Sequence, residues 1–236
     1  MASQPLGCAR MKQLPLAIAP DPADSFDDLV VGSNQHAVQH LCSLTAQAAP
    51  VYLWGPSGSG KTRLLRALAA QRQARGERAA WFQPDDPLPW ALPEACDLVL
   101  LDCCDALDEA QQLAAFSLFV QAGDAGAQWA AAGELPPVDL PLREDLRSRL
   151  GWGHVFALQA LTDADSRRAL RLEADRRGIV LSDEVMGYLL TRLPRNLKHL
   201  MDLLSRLDGF ALAEHRHVTV PLLKKMLSEE AQFSAP

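Results

Sequence analysis

One glycine-rich segment of the sequence has the residue types and spacing that hold phosphate groups. It occupies residues 55–62, after an apolar run at 51–54 and before a helical pattern that starts near Leu64. Glycines let a backbone turn tightly and aim its N–H groups at an anion, and the following helix adds the positive end of its dipole. The lysine of the pattern reaches nucleotide β- and γ-phosphates, and the threonine hydroxyl ligates Mg²⁺. We therefore predict a nucleotide-binding loop made of Gly55, Pro56, Ser57, Gly58, Ser59, Gly60, Lys61 and Thr62.

A second chemistry-bearing residue is Asp102, an acid at the end of the apolar strand pattern of residues 97–102. A carboxylate at the end of a strand beside such a loop meets the Mg²⁺ of the bound nucleotide. The alternative is an ordinary surface aspartate at a strand end. We predict that Thr62 and Asp102 together hold the metal ion.

The composition is that of a globular protein with one larger and one smaller domain. The chain has 236 residues, of which 48% are hydrophobic and 22% charged, and its formal net charge is −6. A negative balance disfavours sequence-independent binding to nucleic-acid backbones. The five cysteines have neither C-x-x-C nor metal-ligand spacing. Because no signal peptide or membrane-length apolar run is visible, we expect a cytoplasmic protein without membrane contact.

The elements that must position the loop alternate between strand and helix patterns in residues 26–160. Such alternation predicts a parallel sheet covered by helices on both faces. The strand patterns lie at 51–54, 79–82, 97–102, 128–133 and 154–158, and the helical patterns at about 35–48, 61–75 and 108–122. Either Ser33 or Asn34 is expected to cap the first helix.

The two ends of the chain have different patterns. Residues 161–236 show helical patterns alone, at about 163–177, 182–193, 196–208 and 219–229, and predict a small all-α domain. Residues 1–25 are rich in proline and predict a disordered tail with one apolar segment at 13–18. That segment is typical of a peptide that docks in a partner's pocket. The alternative is that it folds back onto the domain.

Several of these segments resemble a known family when taken together. A phosphate-binding loop, a strand-end Asp102, an arginine before the fifth strand and a helical lid make up the AAA+ module. The finer matches, at Phe26, at residues 30–34, at 53–55 and at 145–153, resemble the AAA+ domain of the bacterial initiator DnaA. No helix-turn-helix DNA-binding domain is expected after the lid. With its amino-terminal Gln-Leu peptide, the chain resembles the Hda family of DnaA-related regulators.

The resemblance implies a fold, ligands and partners. The fold is an α/β AAA+ P-loop NTPase with a five-stranded parallel sheet and a small all-α lid. ADP or ATP binds with Mg²⁺, with further contacts from Val31, Arg63 and Lys198. Arg149 acts in trans, as an arginine finger on the ATP held by DnaA. The resemblance leaves undecided whether the chain forms a homodimer, and it implies that the chain contacts DNA only indirectly. The peptide that binds the β sliding clamp of DNA polymerase III comprises Gln13, Leu14, Leu16 and Ile18.

Three positions depart from the pattern of active AAA+ ATPases. Cys103 stands where such enzymes place a water-orienting acid, and we expect the nearby Asp105 to point elsewhere. Ala132 and Gly133 end the strand that usually supplies a polar sensor, and Lys198 replaces the lid arginine. These departures predict slow hydrolysis by the chain itself and a regulatory role toward DnaA. The alternatives are a self-sufficient ATPase such as a helicase loader, and an AAA+ protein that binds nucleic acid through the arginine-rich stretch 143–206.

Overall fold

The structure is a computed structural model that describes residues 25–45, 48–192, 197–214 and 216–233. In this part of the chain, strands and helices alternate as far as the fifth strand, except that a loop and not a helix joins the second strand to the third, and helices alone follow. The strands are β1 Val51–Trp54, β2 Ala79–Phe82, β3 Leu98–Leu101, β4 Gln128–Gly133 and β5 His154–Ala157. The helices are α1 Gln35–Cys42, α2 Lys61–Ala74, α3 Glu109–Ala125, α4 Glu144–Gly151, α5 Asp163–Arg176, α6 Asp183–Arg192, α7 Leu197–Glu214 and α8 Val220–Phe233.

The five strands form one parallel sheet in the order β2-β3-β4-β1-β5, which confirms the predicted sheet. Its register places Trp54, the last residue of β1, opposite Gly133 on β4 and Ala157 on β5. The carboxyl ends of these strands therefore meet at one edge, where ligands bind in open α/β sheets.

Alternate residues of the buried strands pack on opposite faces of the sheet. On β1, Tyr52 joins the core under α3 and α4, whereas Val51 and Leu53 join the core under α1 and α2. Because β3 is covered on both faces, its residues Leu98–Leu101 form a continuous apolar run, all of them fully buried.

Several helices differ from the predicted patterns, and the clearest differences are at α1, α7 and α4. Helix α1 ends at Cys42, after which the Leu44 N–H bonds to the Leu41 carbonyl oxygen three residues back and not four, so the predicted extension to residue 48 is wrong. Helix α7 continues to Glu214, beyond the predicted end at 208. Helix α4 was not predicted as an element, and it carries Arg149.

Helices α5 to α8 pack around their own apolar core. Its centre includes Leu170, Met186, Leu203 and Leu223, which are fully buried. Helix α5 begins where predicted, since the Thr162 side chain accepts a hydrogen bond from the Asp165 N–H. Every helix within the described ranges is too short or too polar to cross a membrane. The predicted tail and its segment 13–18 lie outside those ranges.

Candidate nucleotide and magnesium site

The predicted phosphate-binding loop connects strand β1 to helix α2, as its sequence predicts. Its turn is closed by a 3.1 Å hydrogen bond from the Ser59 N–H to the Pro56 carbonyl oxygen, with Ser57 and Gly58 between them. Gly60 precedes α2 in a left-handed conformation, with φ of +94°, that favours glycine. The loop therefore delivers its backbone directly to the amino end of α2, where N–H groups are available to an anion.

Lys61 spans the loop from the first residue of α2. Its Nζ donates hydrogen bonds of 2.6 Å to the Gly55 carbonyl oxygen and 3.0 Å to the Pro56 carbonyl oxygen. Burial lowers the pKa of Lys61 below its ordinary value, and the negative charges of Glu134 and Asp102 partly offset that effect. The ammonium group therefore lies inside the loop, where the sequence motif requires it.

The two predicted metal ligands lie in contact. The Thr62 Oγ1 donates a hydrogen bond of 2.7 Å to Asp102 Oδ2, and Asp102 is only 3% exposed. Its other oxygen, Oδ1, accepts a 2.9 Å bond from the Cys103 N–H. Oxygen donors of this kind suit Mg²⁺, which takes one or two protein ligands beside phosphate oxygens and water.

A crevice runs from this loop toward the lid helices. Its walls are mostly apolar and come from the segment before α1, the loop, α2, the linker after β5, and helices α5 and α7. The lining residues are Leu29, Val30, Val31, Asn34, Val38, Ser59, Gly60, Arg63, Leu64, Leu161, Ala169 and Leu197. The buried Ser59 hydroxyl has no hydrogen-bond partner within the described ranges. Mostly apolar walls with a few polar groups are typical of sites that bind small molecules.

Two acids that the sequence interpretation missed lie at the same sheet edge. Glu134 directly follows β4, and its N–H donates a 2.7 Å hydrogen bond to Asp105 Oδ1. Both carboxylates raise the pKa of Lys61, although burial of the lysine has the larger effect. The Asp105 carboxylate thus lies at this edge on the Glu134 backbone, and the expectation that it does not orient an attacking water stays a prediction. Ala132 and Gly133 do end the strand, but an acid comes immediately after them.

The turn after Asp102 explains how Asp105 reaches this edge. Cys103 is exposed and adopts a left-handed conformation, with φ of +54°. A short 3-10 helix, Cys104–Ala106, follows at once. This reversal moves the chain from β3 toward the end of β4, so that Asp105 meets the Glu134 backbone.

A buried acid of the lid, Glu173, is a further residue that the sequence interpretation missed. Its Oε1 accepts hydrogen bonds of 2.7 Å from Arg176 and 2.6 Å from Arg177. Its Oε2 lies 3.9 Å from a terminal nitrogen of Arg63, which belongs to α2 and lines the crevice. Glu173 is 6% exposed. One lid carboxylate therefore links three arginines and joins the lid to the sheet domain.

Replacing Glu173 with glutamine should lower the free energy of unfolding by about 3 kcal/mol, because it removes a buried negative charge that pairs with partly buried arginines. Burial raises the pKa of Glu173, but the bonds from Arg176 and Arg177 outweigh it and hold the pKa below its ordinary value. The stabilisation is therefore complete above the unfolded-state pKa of about 4.3 and is lost as the pH falls through the folded-state pKa.

Urea unfolding of both proteins from about pH 3 to about pH 7 measures this difference. The difference in unfolding free energy between parent and variant should shrink toward the acidic end of this pH range. Glu184→Gln, on an exposed residue of α6, is the matched control and should have little effect. A gap that stays constant with pH would contradict a charge-based role for Glu173.

Of the remaining predicted residues, Arg149 lies on α4, and the others have side chains outside the described ranges. Arg149 is exposed on α4, with its guanidinium carbon 5.9 Å from the centre of the Phe119 ring. Lys198 lies in the first turn of α7, but its side chain is outside the described part, as are Gln13, Leu14, Leu16 and Ile18. Among the described residues, no group of three or more His, Cys, Asp or Glu side chains forms a metal site.

Solved structures of several AAA+ proteins share this fold. Domain III of the Thermotoga maritima replication initiation protein DnaA superposes with a TM-score of 0.73 at 19% identity, covering 89% of this chain and 98% of that one. AMPPCP-bound DnaA from Aquifex aeolicus gives a TM-score of 0.64 at 21% identity, covering 90% and 71%. The Thermotoga maritima RuvB Holliday junction branch migration motor gives 0.62 at 16% identity, covering 87% and 71%.

The lid has a sequence match of its own. Residues 163–227, from the start of α5 into α8, match the family model of the Hda lid domain. The sheet domain that precedes this lid has the fold of the DnaA AAA+ domain, with a parallel five-stranded sheet and the predicted phosphate-binding loop. The lid is therefore similar to the Hda lid domain, and the chain as a whole has the fold of DnaA domain III.

Proposed function

We propose that this chain binds ADP or ATP with Mg²⁺ at the loop and crevice. The loop N–H groups and Lys61 hold the phosphates, and the Thr62 and Asp102 oxygens hold the metal ion. Val31 and the other apolar residues of the crevice hold the base. The 2.7 Å contact between Thr62 and Asp102 supports this assignment, as does the AMPPCP named in the structure of the Aquifex aeolicus DnaA relative.

We further propose that the chain regulates replication initiation by stimulating hydrolysis of the ATP bound to DnaA. The observation that carries this proposal is the match of residues 163–227 to the Hda lid domain, on a sheet domain with the DnaA fold. In this proposal the chain's nucleotide shapes the surface that meets DnaA, and the chemical step takes place in the partner's site.

Arg149 is the residue we assign to that step. Its helix α4 packs on α3, and the guanidinium lies over the Phe119 ring at the surface. An arginine presented to a neighbouring subunit neutralises the charge that develops on a transferring phosphoryl group. Asp145, a nearby acid on α4, is already engaged, since its carboxylate accepts two hydrogen bonds from Arg143. Because Asp145 pairs with Arg143, we infer that the exposed Arg149 guanidinium is available to a partner.

A reconstituted assay tests the regulatory role as a whole. ATP-bound DnaA is mixed with this chain, ADP and sliding clamp loaded on DNA, and release of phosphate is followed. The proposal requires that DnaA hydrolyses its ATP faster when the chain is present. An unchanged rate with folded, ADP-bound protein would contradict it. The same reaction without DnaA measures turnover by the chain alone.

The second candidate function, a self-sufficient ATPase, is favoured by the two acids near Lys61. Glu134 or Asp105 can supply the carboxylate that Cys103 lacks. Turnover near about 1 s⁻¹ or faster by the isolated chain would favour this candidate, since that rate is within the range of working enzymes. Much slower turnover, together with stimulation of DnaA, would favour the regulator.

The tail is proposed as the tether to the β sliding clamp. Replacing both Gln13 and Leu16 with alanine should abolish clamp binding, because these side chains carry the Q-L-x-L pattern of the docking peptide. The melting temperature should stay unchanged if the segment contributes nothing to the core. Surface-immobilised clamp measures the affinity. The matched control is the double variant Gln4→Ala with Leu6→Ala, earlier in the same tail, which should bind clamp as the parent does. Equal clamp affinity in the two double variants would contradict the tether.

A further inference from the structure

The buried side chain of Asn34 does not do what its position predicts. It stands at the N-cap of α1, yet its side chain makes no capping hydrogen bond. Instead, Nδ2 donates to the Gln159 carbonyl oxygen at 2.9 Å, and Oδ1 accepts from the Gln159 N–H at 2.8 Å. Asn34 is 7% exposed. The amide therefore pairs with both polar groups of one residue that lies 125 positions later in the chain.

This pair of hydrogen bonds, the Asn34–Gln159 clasp, joins two walls of the crevice. Asn34 lines the crevice itself, between Val31 and Val38, which also line it. Gln159 lies in the linker between β5 and α5, two residues before Leu161, which also lines the crevice. A ligand in the crevice therefore touches both segments that the clasp holds together.

The linker is also fixed from the side of the phosphate-binding loop. The Leu158 N–H donates a 2.6 Å hydrogen bond to the carbonyl oxygen of Trp54, the last residue of β1. A Cβ at Gly55 would overlap the Leu158 carbonyl oxygen, so the loop and the linker pack backbone to backbone. One residue further on, the clasp fixes Gln159. The course of the chain into the lid is thus set at two consecutive residues.

We propose that Asn34 is a positioning residue that couples nucleotide binding to the orientation of the lid. Asn34 holds the linker through Gln159, and the linker in turn sets where α5 and α7 stand over the crevice. A nucleotide that packs against the Asn34 segment and the lid wall strengthens the clasp, and an intact clasp preforms the crevice. This inference rests on the nucleotide site proposed above and adds the residue through which the lid responds to it.

The test compares two buried amides with different locations. Asn34→Ala removes both bonds of the clasp. Gln128→Ala is the matched control, because Gln128 is 1% exposed and donates to the Ala49 carbonyl oxygen at 3.1 Å, at the opposite edge of the sheet. Both variants should melt at a lower temperature. Only Asn34→Ala should bind ADP about tenfold or more weakly, since only it disturbs the binding-competent arrangement.

A second measurement separates coupling from general destabilisation. In the parent and in Gln128→Ala, ADP should slow amide hydrogen exchange in residues 158–162, because it stabilises the linker. In Asn34→Ala, that protection should be lost even at saturating ADP. ADP affinity and linker protection equal to those of Gln128→Ala would overturn the inference. Absence of ADP binding in the parent would instead overturn the proposed nucleotide site.

Discussion

The Lys61→Ala variant should bind ADP at least about 100-fold more weakly than the parent, a loss of about 2.8 kcal/mol. Lys61 is the loop's cation, and its Nζ lies within hydrogen-bond distance of two loop carbonyl oxygens. A charge-assisted contact to phosphate in a partly buried site is among the stronger polar interactions in proteins. Titration with a fluorescent ADP analogue and retention of ADP through gel filtration both measure the effect.

The control for this variant is Lys224→Ala, on an exposed lid lysine that lies over the Tyr188 ring, 5.5 Å from its centre. It should bind ADP as the parent does. Without nucleotide, Lys61→Ala should stay folded, because it loses only its bonds to Gly55 and Pro56 in the loop. A Lys61→Ala protein that retains ADP would show that the phosphates bind elsewhere.

The second large effect is expected for Arg149→Ala in the assay with DnaA. The variant should fold, bind ADP and bind clamp, but should lose nearly all stimulation of ATP hydrolysis by DnaA. Arginine fingers contribute roughly 10³–10⁵ in rate in well-studied GTPases, and we expect a smaller factor for a regulatory contact. The stability cost should be only about 0.5–1 kcal/mol, the range for an exposed cation lying over an aromatic ring.

Two further variants separate a finger from a docking surface. Arg147→Ala, on the same helix and two residues earlier, should keep most of the stimulation. Arg149→Lys should lose most of it, because lysine retains the charge but not the planar fork of donors. Equal losses at Arg147 and Arg149 would indicate a general docking surface. Full activity of Arg149→Ala would exclude the finger.

The sheet and the core of the site could be predicted because local patterns determine them. Each buried strand is an apolar run, and the loop motif fixes where Lys61 and Thr62 lie relative to β1. The contact of Thr62 with Asp102 also follows from parallel topology, since the loop that leads to Thr62 follows β1 and Asp102 follows β3 at the same edge of the sheet. Here short-range sequence signals and the fold point to the same arrangement.

The missed residues depend on chain reversals and long-range contacts. Asp105 reaches the site only through the left-handed turn at Cys103, a conformation that non-glycine residues rarely adopt. Asn34 has the sequence signature of a helix cap, and only the position of Gln159 shows where its amide binds. In the sequence, Glu173 is one acid among several lid arginines. Only the packing of α5 shows that its carboxylate lies beside Arg63.

The strand order has a consequence for how the chain is made. Strand β1, which carries the phosphate-binding loop, pairs only with β4 and β5, whereas β2, β3 and β4 pair in sequence order. A ribosome adds roughly 5–20 residues per second, so on the order of ten seconds pass between the synthesis of Val51–Trp54 and the synthesis of β4. During that interval an apolar segment suited to a strand has both edges unpaired, which exposes it to aggregation. The nascent chain is therefore most in need of a chaperone between the synthesis of its loop and that of its fourth strand.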